Sequence, residues 1–173
     1  MAARPNDMAR RVFFSFHYSD VVRAMNVRNS WVVRGENEPV GFVDGADFET
    51  IERQGDAAIK RWIDGQLNGT SVTIVLIGAE TWGRSYVQYE IRQSYVRGNG
   101  LLGISIHNIQ DFNRQTAVAG ANPFSYTRVP GRTLLGQEMS LPYRVPVFDW
   151  VNDSGRDNIG RWIEQVAPKQ IGS

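Results

Sequence analysis

The chain contains no cysteine, so disulfide staples and thiolate metal sites are excluded and nothing argues for an oxidising compartment. It also lacks an excess of charge of either sign. Lys and Arg number 19 and Asp and Glu 18, a net charge of +1, far from the basic footprint of a dedicated nucleic-acid binder. No apolar run approaches the roughly 20 residues of a membrane span, and the opening MAARPNDMARR has no apolar h-region. A soluble cytoplasmic protein is expected, with neither nucleic acid nor membrane among its partners. No P-loop, G-x-S-x-G, H-E-x-x-H or EF-hand pattern occurs, which removes Walker-type phosphoryl transfer and esterase chemistry. Histidine is scarce: His17 and His107 both follow predicted strands, but no third ligand accompanies them, so no metal is expected.

What remains is a 173-residue chain of single-domain size, with residues 1–10 read as a flexible amino terminus and 11–173 as one domain. Its organising stretch is TSVTIVLIGAETWGRSYVQYEIRQSY, residues 70–95. Residues 72–77 are almost wholly apolar, rich in β-branched side chains and closed by Gly78, the signature of a strand covered on both faces. Residues 78–84 lack helical periodicity. Ser85 then reads as the N-cap of a helix in which Val87, Ile91 and Tyr95 face the sheet, with Glu90 one row round at the border of the buried face.

Elsewhere strand and helix alternate. Residues 11–16 read as a buried strand, followed by His17 to Asp20, where Ser19 or Asp20 caps a helix carrying Val21, Val22, Met25, Val32 and Val33. Residues 40–43 form a short strand, 44–47 a turn, and about 50–67 one amphipathic helix through Ile51, Ile59, Trp62, Ile63 and Leu67. A strand over 101–106 precedes an irregular insertion at about 107–142. Residues 145–148 read as an edge strand, since Pro146 cannot donate to a ladder, and 149–166 as a final helix. The run GNGLLG at 98–103 matches G-x-G-x-x-G formally, but it ends a helix and enters a strand, so it is a helix stop rather than a dinucleotide fingerprint.

Five strands alternating with helices predict a three-layer α/β domain, a flavodoxin-like fold with a mainly parallel sheet of order 2-1-3-4-5. Ligands in such sheets bind beyond the carboxyl ends of the strands, at the switch between strands 1 and 3. There Phe16, His17 and Tyr18 would meet residues 78–90, and residues 44–48 would close one side. Four of the tryptophans sit at helical spacing and read as core; Trp82 lies in the rim loop, where its face can stack on a base. Position alone leaves Glu90 open between an ordinary helix carboxylate and a catalytic one.

Two motifs narrow this. RVFFSFHYSD at 11–20 resembles the first strand and loop of Toll/interleukin-1 receptor (TIR) domains, and VLIGAETWGRSYVQYEI at 75–91 is similar to the stretch ending in W-x-x-x-E that carries the catalytic glutamate of NAD-cleaving TIR domains. Glu90 takes the glutamate position, and Tyr86 stands where tryptophan is usual. With RNSW at 28–31, NGTSVT at 68–73, NPF at 122–124 and YRVPVFDW at 143–150, the chain resembles the TIR-like family of the bacterial Thoeris anti-phage system. The resemblance implies an antiviral signalling enzyme that cleaves NAD+ at the nicotinamide–ribose bond. The product would be a cyclic or otherwise modified ADP-ribose second messenger that activates a partner effector. It implies Glu90 as catalytic residue and Phe16, Tyr86, His17, Ser15, Trp82 and Asp44 or Asp47 as pocket candidates. Arg28 would meet the pyrophosphate, unless it is a solvated helix arginine. NAD+ would be the substrate and no further cofactor is expected; self-association or a phage-derived trigger would control activity. Two other readings share this fold: a non-catalytic TIR adaptor acting by self-association, and a nucleoside-deoxyribosyltransferase-like enzyme.

Overall fold

The computed structural model describes residues 10–32, 45–132 and 134–169. In chain order the elements are β1 (Val12–Ser15), α1 (Val21–Val32), α2 (Gly45–Arg53), α3 (Asp56–Leu67), β2 (Val72–Ile77), α4 (Ser85–Val96), β3 (Gly100–Ser105), β4 (Arg128–Pro130), β5 (Glu138–Ser140), β6 (Val147–Asp149) and α5 (Gly155–Val166). β1, β2, β3 and β6 form a parallel sheet in the order β1-β2-β3-β6, with Ser15 opposite Val75 and Ile77 opposite Ser105. The protein is thus α/β with a parallel sheet, and its four strands fall in the order expected of strands 1, 3, 4 and 5. The strand expected over 40–43 lies outside the described residues.

Alternation along the strands divides the core into two layers. Val12 and Phe14 of β1, Val72, Ile74 and Leu76 of β2, and Leu102 and Ile104 of β3 pack with Ala24, Val27 and Trp31 of α1 and Ile159, Trp162 and Ile163 of α5. On the opposite face Val75, Ile77 and Leu101 meet Val87 and Ile91 of α4, while Phe13 meets Ile59, Ile63 and Leu67 of α3. The every-fourth-residue stripe of α4 therefore does face the sheet. Ser15 projects from the same side of β1 as Phe13, toward α4, and this parity decides the site.

Several boundaries depart from expectation for local reasons. The single helix over 50–67 is two, because Gly55 adopts φ 95° between α2 and α3, and α2 already begins at Gly45 where a turn was expected. Ser85 is the first residue of α4 and not its cap; Arg84 occupies the cap position without a side-chain bond. Asp149 delays the last helix, its Oδ1 accepting from Val151 and Asn152 N–H at 2.9 and 2.8 Å. Gly98, at φ 78°, does stop α4, its N–H bonding the Tyr95 carbonyl at 3.0 Å.

The 107–142 stretch is not without structure. It holds a 3-10 turn at Pro123–Tyr126 and the antiparallel pair β4–β5. Phe124 enters the core beneath α4. Gln88 of α4 donates through Nε2 to the Trp82 and Pro123 carbonyls at 2.9 and 3.0 Å, and its Oε1 accepts from Thr127 Oγ1 at 2.7 Å. Arg92, one turn later, donates to the Arg128 carbonyl and pairs with Glu138. One face of α4 thus grips the sheet and another grips the insertion. No helix among the described residues is long and apolar enough to cross a membrane.

Backbone also meets backbone where the insertion crosses the end of β2. A Cβ on Gly120 would lie 1.9 Å from the Gly78 carbonyl oxygen, with no flexible side chain to yield. Overpacking of this kind costs about 1–3 kcal/mol. Gly120→Ala is expected to lower Tm by roughly 3 °C or more in differential scanning calorimetry; an unchanged Tm would show that the insertion does not pack there.

Candidate active site

Ser15 is the last residue of β1 and Glu90 lies in the second turn of α4; both are buried, at 1% and 8% exposure. The Ser15 hydroxyl donates to Glu90 Oε2 across the gap between strand and helix. Helix placement fixes this meeting from below. Thr73 Oγ1 and Ser94 Oγ lie 2.7 Å apart, and Ser94 Oγ also donates to the Glu90 carbonyl at 2.7 Å, so β2 and α4 are stitched one turn beyond the carboxylate.

Burial pushes the Glu90 carboxyl up from 4.5 to about 8, against the opposing pull of the Ser15 hydrogen bond. Near neutral pH the free protein therefore keeps this group mostly protonated. A carboxyl displaced this far and facing a cleft makes Glu90 a candidate functional residue.

The cleft has a volume of about 550 Å³. Phe16, Ile59, Trp62, Ile63 and Val87 make its apolar wall, and Tyr86, His17, Arg84 and Glu90 bring polar groups to it from the loop after β1, the cap of α4 and α4 itself. Glu49 and Glu52 reach it from α2. His17 opens the 3-10 turn Tyr18–Asp20, its Nδ1 accepting from the Ser19 N–H at 3.3 Å, so this ring, rather than Ser19 or Asp20, caps the turn that leads into α1. Burial and the Arg84 guanidinium lower the His17 pKa, outweighing the Asp20 and Glu80 carboxylates, so the imidazole is neutral at pH 7. Burial, and then the carboxylates of Asp56 and Glu52, hold the Tyr86 phenol above its usual value.

Glu90, Phe16, His17 and Tyr86 therefore come together on one cleft, with Ser15 bonded beneath it. Trp82 does not line it. Its ring stands on the rim, 40% exposed, tilted against Tyr126 of the insertion at 4.9 Å between centroids. Arg28, on α1, is not among the residues that line the cleft, and Asp44 falls outside the described residues. His107 is not a lining residue either.

The wall supplied by α3 was missed, because Ile59, Trp62 and Ile63 at helical spacing are indistinguishable in sequence from ordinary core. Ile59 and Ile63 do both, being buried against Phe13 and exposed at one edge to the cleft. Glu49 and Glu52 carried no sequence signal beyond the polar face of a helix.

A parallel α/β sheet whose first strand delivers a serine to a buried glutamate on the helix after the neighbouring strand is the arrangement expected of a TIR-like domain. The chain can be placed more narrowly. A family model described as "Thoeris protein ThsB, TIR-like domain" matches residues 13–111, a span that contains every residue lining the described cleft. A curated protein of Bacillus cereus (strain MSX-D12), named "Putative cyclic ADP-D-ribose synthase ThsB1", is 35% identical over 191 aligned residues, which cover 90% of this chain and all of that protein. The chain belongs to the ThsB TIR-like family of Thoeris proteins.

The raised pKa has a thermodynamic corollary. An unfolded Glu90 ionises near 4.5 and the folded one near 8, so unfolding releases a proton throughout the interval between them. Stability that is fully present below 4.5 is thus lost as pH rises toward 8. Replacing the carboxyl by an amide removes this term, which at pH 8 is on the order of a few kcal/mol. Glu90→Gln should raise Tm at pH 8 by several degrees and flatten its pH dependence between 5 and 8. A Tm equal to or below wild type at pH 8 would contradict the burial assigned to this carboxyl.

Proposed function

We propose that this protein is an anti-phage signalling enzyme. It cleaves NAD+ at the nicotinamide–ribose bond and closes the remainder into a cyclic ADP-ribose messenger that activates a separate effector protein. The observation that carries the reading is the buried Glu90 carboxyl at an apolar cleft, in a chain 35% identical to the relative named "Putative cyclic ADP-D-ribose synthase ThsB1". NAD+ is consumed as substrate, with no further cofactor. Self-association or a phage-derived trigger switches the enzyme on.

The chemistry suits this carboxyl. When the C1′–nitrogen bond breaks, its electron pair passes to the pyridinium ring, which leaves as neutral nicotinamide, and the ribose takes on oxocarbenium charge. A carboxylate beside C1′ stabilises that charge in a poorly hydrated cleft. Free Glu90 is mostly protonated at pH 7, but a bound pyridinium favours the ionised form, so substrate binding expels the proton. A hydroxyl of the same ADP-ribose then attacks C1′, forming the ring bond and yielding its proton to Glu90. An acceptor with pKa near neutrality is well matched to that transfer. Water in place of the internal hydroxyl gives open ADP-ribose, and the wall of Phe16, Ile59, Trp62 and Val87 disfavours it by excluding solvent.

The adaptor reading assigns Glu90 no chemistry. It leaves unexplained why a carboxyl is buried where its desolvation opposes folding.

Two experiments test the proposal. Lysate from phage-infected cells expressing the protein, supplied with NAD+, is expected to yield an ADP-ribose-derived species by mass spectrometry that lysate with Glu90→Gln does not. The same species from both would overturn the assignment. With the trigger present, kcat/KM for NAD+ should rise with pH to a plateau above about 8. Because the Ser15 hydroxyl favours the carboxylate, Ser15→Ala should move that limb to higher pH; a limb that stays in place would remove Ser15 from the account.

A further inference from the structure

A second depression, of about 320 Å³, adjoins the cleft across a shared ridge made by Ser85 and Tyr86. It runs along the outer face of α4, where Ser85, Gln88, Tyr89 and Arg92 recur at helical spacing, between α3 on one side and the insertion on the other. The charge of the two hollows differs. The cleft holds the carboxyls of Glu49, Glu52 and Glu90, with Arg84 paired to Glu80. The depression instead gathers three cations, Lys60, Arg92 and Arg128, against one carboxylate, Asp56, around the rings of Tyr86, Tyr89 and Tyr126.

Some of this cationic charge is compensated: Lys60 pairs with Asp56 at 2.9 Å and Arg92 with Glu138. The Arg128 guanidinium donates to neutral oxygens, Ser140 Oγ at 3.2 Å and the Glu138 carbonyl at 3.1 Å, and so leaves its charge to the depression. The ammonium of Lys60 lies 5.4 Å from the Tyr89 ring centroid, and Tyr126 is 53% exposed. Aromatic faces beside guanidinium and ammonium groups are the chemistry that recognises a purine base carrying phosphates.

NAD+ is polar in the same sense as the paired hollows. Its nicotinamide riboside end is cationic, and its adenosine diphosphate end is anionic with a flat base. We infer that the depression on the outer face of α4 is the subsite for the adenosine diphosphate half of the substrate. Lys60, Arg92 and Arg128 meet the phosphate oxygens, and the exposed Tyr126 ring meets the adenine. The inference rests on the NAD+ reading above and extends it: the insertion becomes part of the substrate site, contributing Tyr126 and Arg128 from outside the span that matches the family model.

The test needs no turnover in its first arm. ADP binding is measured by isothermal titration calorimetry on wild type, Glu90→Gln, Lys60→Ala, Tyr126→Leu and Arg128→Ala. Wild type and Glu90→Gln are expected to bind ADP equally, and each of the other three at least fivefold more weakly. Arg128 also holds the β4–β5 hairpin, so Lys60→Ala, on α3, and Tyr126→Leu guard against a loss caused only by unfolding of that hairpin. In the triggered enzyme the three variants should raise KM for NAD+ while leaving kcat and the cleavage of nicotinamide mononucleotide unchanged. ADP affinity unaffected by Lys60→Ala and Tyr126→Leu, or equal losses with both substrates, would overturn the inference. NAD+ cleavage that survives in Glu90→Gln would instead sink the catalytic reading and leave the ADP result standing by itself.

Discussion

A carboxyl group held out of water is the constraint around which this fold is arranged. Glu90 is buried between the end of β1 and the second turn of α4, and the Ser15 hydroxyl satisfies one of its oxygens. Desolvation outweighs that single hydrogen bond, so the group is expensive to the folded state while it remains ionised. The surroundings hold it there from both sides. Val87 and Ile91 lock α4 onto β2 and β3, the Thr73–Ser94 contact fixes its height, and Gln88 and Arg92 tie its outer face to the insertion. A helix restrained so fully cannot swing its carboxyl out to solvent, and the charge state of Glu90 then answers to whatever enters the cleft.

That arrangement joins stability to function. Sites that hold a group in the wrong protonation state for water are commonly less stable than the fold allows, because the same desolvation that tunes the group opposes folding. The two hollows on either side of the Ser85–Tyr86 ridge differ in character: one is apolar and acidic and presents Glu90, the other aromatic and cationic. α4 supplies residues to both, the sheet orients its inner face, and the insertion completes its outer one.

Much of this was legible in the sequence because the signals were local. The β-branched run at 72–77, the stop at Gly98 and the stripe of Val87 and Ile91 all became what their periodicity implied, and Glu90 at the edge of that stripe became a buried rim residue. Lying at or just past the carboxyl end of β1 also brought Ser15, Phe16 and His17 to the end of the sheet that holds Glu90. What was not legible depended on tertiary neighbours. Gly55 broke one predicted helix into two through a positive φ that no periodicity reveals. Ile59, Trp62 and Ile63 serve the core and the cleft at once, and a stripe that does both reads like one that does the first alone. Trp82, the aromatic that stood out from helical spacing, turned to Tyr126 on the rim instead of into the cleft. The 107–142 stretch was opaque because its short hairpin and 3-10 turn are held by Gln88, Arg92 and Phe124 and have little periodicity of their own.

The proposed mechanism makes Glu90 a buried acid whose proton is displaced by the cationic end of NAD+. It is tested most directly by following the Glu90 side-chain carboxyl with 13C NMR, assigned by comparison with Glu90→Gln, in the free protein and with a non-cleavable carbocyclic NAD+ analogue. A titration near 8 in the free protein and an ionised carboxylate at pH 7 once the analogue is bound are expected. A carboxyl already ionised at pH 6 in the free protein, or one whose titration does not move when the analogue binds, would contradict that mechanism.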